Sequence, residues 1–130
     1  MIYVIDLLNE NQLSYINEVY NYSNFENGLI SASYKEEGLK NNVEMIGFER
    51  NNLSDYVANI LNNSADFTEI TSSKCYTGII FSKYENGMYY NLHNDNYMMN
   101  DGVRTDFSST IFLNSPDEYE GGELILTVGN

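Results

Sequence analysis

The sequence predicts an α+β fold, with helices in the first half and an antiparallel, β-rich second half forming a sandwich or barrel that the helices buttress. Three observations carry that expectation. Apolar residues recur at helical spacing up to about residue 71. After Thr71 the period becomes twofold. The second half is punctuated by turn signals at Asn86-Gly87 and Gly121-Gly122.

The elements follow in order. Ile2-Tyr3-Val4-Ile5 reads as a short strand. A helix is expected over about 10–22, with Leu13, Ile16, Val19 and Tyr20 on one face. In a second helix Leu53, Tyr56, Val57, Ile60 and Leu61 fall at i, i+3, i+4, i+7 and i+8. Asn52 is its expected N-cap and Asn62-Asn63 its end. Residues 74–84 alternate Cys75, Thr77, Ile79 and Phe81 against Tyr76, Gly78, Ile80 and Ser82, which makes Cys75 a buried strand residue. Glu85-Asn86-Gly87 carries a hairpin signal and leads into a strand over 88–95. A polar loop (96–102), a strand (103–114), an acidic turn (115–122) and a last strand from 123 complete the plan. Gly121-Gly122 supply the backbone freedom for that turn. Asp117, Glu118, Glu120 and Glu123 around it match no EF-hand spacing and read as a solvated surface.

The chain of 130 residues suits one domain, divided here into a helical support region (1–72) and the first part of the β-rich core (73–130). Six basic against nineteen acidic residues give a net charge of −13, which argues against nucleic acid and anionic membrane as partners. A single cysteine permits no internal disulfide and fits a reducing, cytoplasmic compartment. The first eight residues lack the basic region of a signal peptide. No stretch approaches the roughly 20 apolar residues of a membrane span.

His93-Asn94-Asp95 is the element with chemical content. Residues i and i+2 of a strand point to one side, so an imidazole nitrogen and a carboxylate oxygen can reach the same ion. Two His and one carboxylate occupy one face of an octahedral metal and leave the other face open. Arg104, Asp106 and Ser108 likewise share a strand face, and an Arg–Asp pair is expected there.

The surroundings of His93 add a resemblance. The run Tyr84-Glu-Asn-Gly87-Met-Tyr-Tyr90-Asn-Leu-His93-Asn-Asp95 is followed by Arg104-Thr-Asp106-Phe-Ser108, Phe112-Leu-Asn114 and Tyr119-Glu-Gly-Gly-Glu-Leu124. Upstream lie Phe25-Glu-Asn-Gly28 and Lys40-Asn-Asn42. Together they resemble the Fe(II)/2-oxoglutarate dioxygenases related to prolyl 4-hydroxylase, above all the bacterial PKHD-type hydroxylases. The resemblance runs from about Phe25 to Leu126. It implies N-terminal helices packed on a double-stranded β-helix, or jelly roll, incomplete at the C-terminus. It implies His93 and Asp95 as iron ligands, Tyr84 and Phe112 as residues facing the cosubstrate, and Fe(II), 2-oxoglutarate and L-ascorbate as cofactors. It implies hydroxylation of an unidentified substrate, a peptidyl proline among the options. For Tyr84 and Phe112 the residues alone fit a core position equally well.

The chain departs from the family pattern in one respect. The family carries a second His on a later strand, followed by an Arg that pairs with the far carboxylate of 2-oxoglutarate. His93 is the only histidine, and Arg50 lies upstream in the helical half. The expectation is therefore a truncated reading of a longer enzyme, inactive as the 130-residue chain. Its unpaired last strand favours a homo-oligomer. The alternative is a non-catalytic β-rich metal-binding or interaction module. A cupin-type protein is a third reading, and the motifs over 104–122 argue against it.

Overall fold

The computed structural model describes residues 1–32 and 37–127. Helix α1 (Glu10–Tyr22) matches the expected span, and its start is set by a capping box: Asn9 and Gln12 each accept from the other's backbone N–H. Strand β1 (Phe25–Asn27) and a 3-10 turn (Gly28–Ser31) follow, then β2 (Lys40–Asn41) and β3 (Val43–Met45). Helix α2 (Gly47–Asn63) runs into the short α3 (Ala65–Thr71). Beyond it, among the described residues, only β4 (Ser82–Lys83) and β5 (Tyr89–Tyr90) pair as strands, so the strands expected over 74–84 and 88–95 shrink to two residues each and His93 and Asp95 lie outside them. All pairing is antiparallel, in a sheet of order β1-β3-β4 and a two-stranded sheet of β2 and β5.

One apolar cluster holds these elements together. Ile16 and Val19 of α1, Leu53, Val57 and Leu61 of α2, Met45 of β3 and Phe81 are all buried in it. Each such side chain, moved fully out of water, contributes roughly 1.5–3 kcal/mol. Met45 turns toward the helices, so Glu44 and the residues level with it face the opposite side of the sheet. No helix among the described residues is long and apolar enough to cross a membrane.

The fold is α+β, as expected, and several elements differ from the sequence reading. Residues 2–5 form no strand, and Ile2, Tyr3 and Val4 are exposed. Helix α2 starts at Gly47, not after Asn52. Its first turn carries the exposed Phe48, which breaks the apolar stripe, and Ile46 caps it without a side-chain hydrogen bond. Helix α3 was not anticipated; Ser64 caps it through Phe67 N–H, and it is too short to show a period. The Asn86-Gly87 turn exists, closed by Met88 N–H to the Glu85 carbonyl with Gly87 at φ +82°. It joins no hairpin, because β4 pairs with β3 and β5 with β2. Cys75 is exposed, not buried.

Residues 103–114 and 123–127 have the alternating pattern of strands but, among the described residues, pair only at the Met98–Arg104 bridge. A strand needs a hydrogen-bonded neighbour as well as a pattern. Where none lies alongside, apolar residues such as Phe107, Leu124, Ile125 and Leu126 are exposed. A jelly roll is not closed by the described residues, and Val128 of the expected last strand lies outside them.

Candidate metal centre

The face of the sheet away from the helices is polar. Lys40, Asn42 and Glu44 alternate along β2 and β3, and all three are buried. Lys40 Nζ donates to Glu44 Oε1 at 2.5 Å and to Ser31 Oγ at 2.8 Å, while Ser31 Oγ–H donates to Glu44 Oε1 at 2.6 Å. Burying two charges is tolerable only when each is satisfied this fully. Gly28 allows Asn42 into the group: Gly28 N–H donates to the Asn42 carbonyl, and a Cβ on Gly28 would lie 1.9 Å from Asn42 Oδ1. Neither side-chain amide atom of Asn42 has a hydrogen-bond partner among the described residues.

Tyr84 belongs to this face. Ser82 pairs with Glu44, so Ser82 and Tyr84 point to Glu44's side. Partial burial pushes the Tyr84 hydroxyl pKa above its ordinary value; the nearby Asn42 amide pulls it down and the Glu44 charge pushes it up, with the net upward. The hydroxyl is thus a proton donor at neutral pH. Its approach to Asn42 is too loose to give that amide a full hydrogen bond.

Strand β5 brings in the His-x-Asp element. Tyr90 pairs directly with Lys40, and its ring lies 4.7 Å from Lys40 Nζ. The imidazole of His93 stacks on the same ring, with centroids 3.7 Å apart and planes 9° apart. His93 Nδ1 is 2.8 Å from the Asn91 carbonyl oxygen. A carbonyl only accepts, so Nδ1 carries a proton, and in a neutral ring Nε2 is then the acceptor nitrogen. Nε2 lies 3.3 Å from Asp95 Oδ1. Two acceptor atoms that close need a proton or a cation between them. Two donors about 2.1 Å from one octahedral ion, at right angles, sit about 3.0 Å apart. The pair therefore fits two adjacent positions around a divalent metal. Among the described residues no third His, Cys, Asp or Glu joins them.

Phe112 is exposed, while its neighbours Ile111 and Leu113 pack on the core, so it points to the opposite side of the segment. Two grooves lie elsewhere on the surface. One, of about 390 Å³, is lined by Glu26, Ser31, Glu44, Arg50 and Ile80; the other lies between Asp6, Gln12 and Asn59. Neither is lined by Tyr84, His93, Asp95 or Phe112. Arg104 grips Asp106 with a two-pronged contact (Nε–Oδ1 2.8 Å, Nη2–Oδ2 2.9 Å) on the surface. The Arg104 hydrogen bonds hold the Asp106 carboxyl below its ordinary pKa. Asp117, Glu118, Glu120 and Glu123 are exposed, and Gly121 and Gly122 have φ of +77° and +73° in the turn that carries them.

Sequence reasoning found His93, Asp95 and Tyr84 but missed the part Lys40, Glu44 and Tyr90 play around them. A partial signal existed for Lys40 and Glu44 alone: both fall on the polar phase of 39–45, although Asn41 breaks the alternation with Leu39, Val43 and Met45.

The chain is similar to several known proteins. The chain is 31% identical to a protein of Aliarcobacter butzleri over 133 aligned positions, covering 97% of this chain and 59% of the relative. It is 35% identical to one of Thermosynechococcus vestitus (92% of this chain, 56% of the relative) and 34% identical to one of Crocosphaera subtropica (97% and 59%). All three relatives are named PKHD-type hydroxylases. The chain spans a little under three-fifths of their length. No family profile and no solved structure matches the chain.

Proposed function

We propose that this chain is the metal-binding half of an Fe(II)- and 2-oxoglutarate-dependent hydroxylase, with His93 Nε2 and Asp95 Oδ1 as two of its three iron ligands. The observation that carries the reading is the 3.3 Å approach of His93 Nε2 and Asp95 Oδ1, in a chain 31% and 35% identical to two PKHD-type hydroxylases. Bound iron would supply the redox chemistry that couples decarboxylation of 2-oxoglutarate to hydroxylation by dioxygen. The chain's own residues do the rest. The Asn91 carbonyl holds the His93 proton on Nδ1 and leaves Nε2 free. The protonated Tyr84 hydroxyl, on the polar face with Glu44, is placed to donate a hydrogen bond to a carboxylate cosubstrate. A role for Phe112 beside the cosubstrate rests on the family resemblance alone. The jelly roll, ascorbate as a helper reductant and a peptidyl substrate belong to the same proposal.

Mn(II), a redox-inert divalent probe, tests it in NMR spectra of the 130-residue chain. With nineteen acidic residues, weak binding over the surface is the background. The reading expects His93 and Asp95 signals to broaden at Mn(II) levels that spare the 117–123 turn, and the effect to vanish in His93→Ala. Broadening centred on that turn, or unchanged in His93→Ala, would remove the metal site.

A second reading, a non-catalytic metal-binding or interaction module, draws on the presence of only two ligands among the described residues and on the exposed Leu124-Ile125-Leu126 run. Succinate release from 2-oxoglutarate with Fe(II) and ascorbate separates the two in a longer chain that carries a further His and Arg.

A further inference from the structure

We propose that Lys40 and Tyr90 are positioning residues for His93, with the buried Lys40–Glu44 pair anchoring the Tyr90 ring and that ring fixing the plane of the imidazole. The inference rests on the reading of His93 as a metal ligand and extends it to residues without metal-binding atoms in the site.

An imidazole lone pair lies in the ring plane, so a ligand histidine directs its bond correctly only if both its tautomer and its plane are fixed. The Asn91 carbonyl, 2.8 Å from Nδ1, fixes the tautomer. It leaves the plane free to swing about that hydrogen bond. The near-parallel Tyr90 ring, 9° from the imidazole plane, removes the swing. His93 lies in a segment without strand pairing, three residues beyond β5, so backbone rigidity does not do this work.

Tyr90 in turn needs an anchor. Its strand is two residues long and pairs with Lys40 and Asn41. Lys40 Nζ, held by Glu44 and Ser31, lies 4.7 Å from the Tyr90 ring centre. An ammonium this desolvated attracts an aromatic ring more strongly than an exposed one does. Lys40 is buried and cannot leave the ring without abandoning Glu44, which is buried as well. The chain of contacts Glu44–Lys40–Tyr90–His93 thus links the most firmly held polar group of the sheet to the free nitrogen of the metal site.

His93 is the only histidine, so its ring gives one isolated set of NMR signals. The metal-free chain is compared with Tyr90→Leu, Tyr90→Phe and the paired variant Lys40→Met with Glu44→Gln, which leaves no lone buried charge. The stack predicts that Tyr90→Leu moves the His93 ring signals toward those of free imidazole and weakens Mn(II) binding at His93 about tenfold. Tyr90→Phe restores both, and the paired variant moves the ring signals in the same direction as Tyr90→Leu. Ring signals unchanged in Tyr90→Leu, or unchanged in a folded paired variant, overturn the proposal. The two tyrosine variants leave the Lys40–Glu44 ion pair itself unaltered and decide the stack even if the paired variant unfolds. If the ring signals move as expected but Mn(II) never reaches His93 in the unaltered chain, the metal reading fails and the positioning contacts stand.

Discussion

Replacing Gly28 by alanine tests the packing beneath the site. The residue is needed there for space: its φ is not positive, so backbone conformation gives alanine no penalty. An added Cβ would lie 1.9 Å from Asn42 Oδ1, 2.9 Å from Asn42 Cγ and 3.0 Å from Glu44 Oε1. The first distance is more than an ångström inside ordinary contact. Asn42 is only 2% exposed and has no free space to swing into. The backbones cannot separate without stretching the 3.0 Å bond from Gly28 N–H to the Asn42 carbonyl. Overpacking of this kind costs about 1–3 kcal/mol, and loss of the backbone bond adds about 1 kcal/mol. Gly28→Ala should therefore destabilise by about 2–4 kcal/mol, read as a lower urea midpoint at constant m-value. Asn42→Ala removes the obstructing atoms together with an unsatisfied buried amide. In the double variant most of the Gly28→Ala penalty should disappear, giving a favourable coupling of at least about 1 kcal/mol. Outside this clash, Gly→Ala stabilises by about 0.4–1 kcal/mol through the unfolded state. A neutral or stabilising Gly28→Ala, or strictly additive variants, would refute the packing argument.

Other expectations follow from the core and from the two perturbed surface and boundary groups. Leu53 is 1% exposed in the centre of the cluster, so Leu53→Ala should cost about 3–5 kcal/mol in urea unfolding. Burial pushes the Tyr20 hydroxyl from 10.0 to about 12. Its folded pKa is raised, so its contribution is fully present below pH 10 and is lost as pH rises toward 12, by at most about 2–3 kcal/mol. Tyr20→Phe should flatten this alkaline loss in urea midpoints, at the cost of the 3.2 Å bond to the Ser82 carbonyl, about 1 kcal/mol. Asp106 has a depressed folded pKa, so whatever it contributes is present above 3.8 and lost as pH falls through the folded value. Arg104→Ala should raise the Asp106 titration midpoint in carboxyl-detected NMR while leaving the urea midpoint nearly unchanged, because both groups are exposed.

The helical half was legible because each of its main helices carries its own period and, for α1, its own cap. Asn9 and Gln12 mark the start of α1, and Leu53, Val57 and Leu61 fall on the buried stripe of α2. The first turn of α2 was not legible, because an exposed Phe48 and a left-handed Gly47 carry no periodic signal. In the second half, Ile79 and Phe81 of the alternating run do reach the core, but so does Tyr76 of the opposite phase, and Cys75 is exposed. Alternation could not say which segment each strand would pair with, since pairing is a property of distant residues. The Asn86-Gly87 turn shows this: its local chemistry was read correctly and its hairpin was not. At the site, His93 and Asp95 approach to 3.3 Å, but neither lies on a paired strand, so the i, i+2 rule for strands is not what brings them together. The Lys40–Tyr90 contact joins residues fifty positions apart through a two-residue ladder, and no local pattern encodes it.

The shared grip of His93 and Asp95 on one ion is tested most directly by anomalous diffraction from crystals of the chain soaked in Mn(II). The account predicts a peak within coordination distance of both His93 Nε2 and Asp95 Oδ1, about 2.1–2.3 Å from each, with His93 Nδ1 still on the Asn91 carbonyl. Density confined to the 117–123 turn, or an Asp95 carboxylate turned away from an empty imidazole, would contradict it.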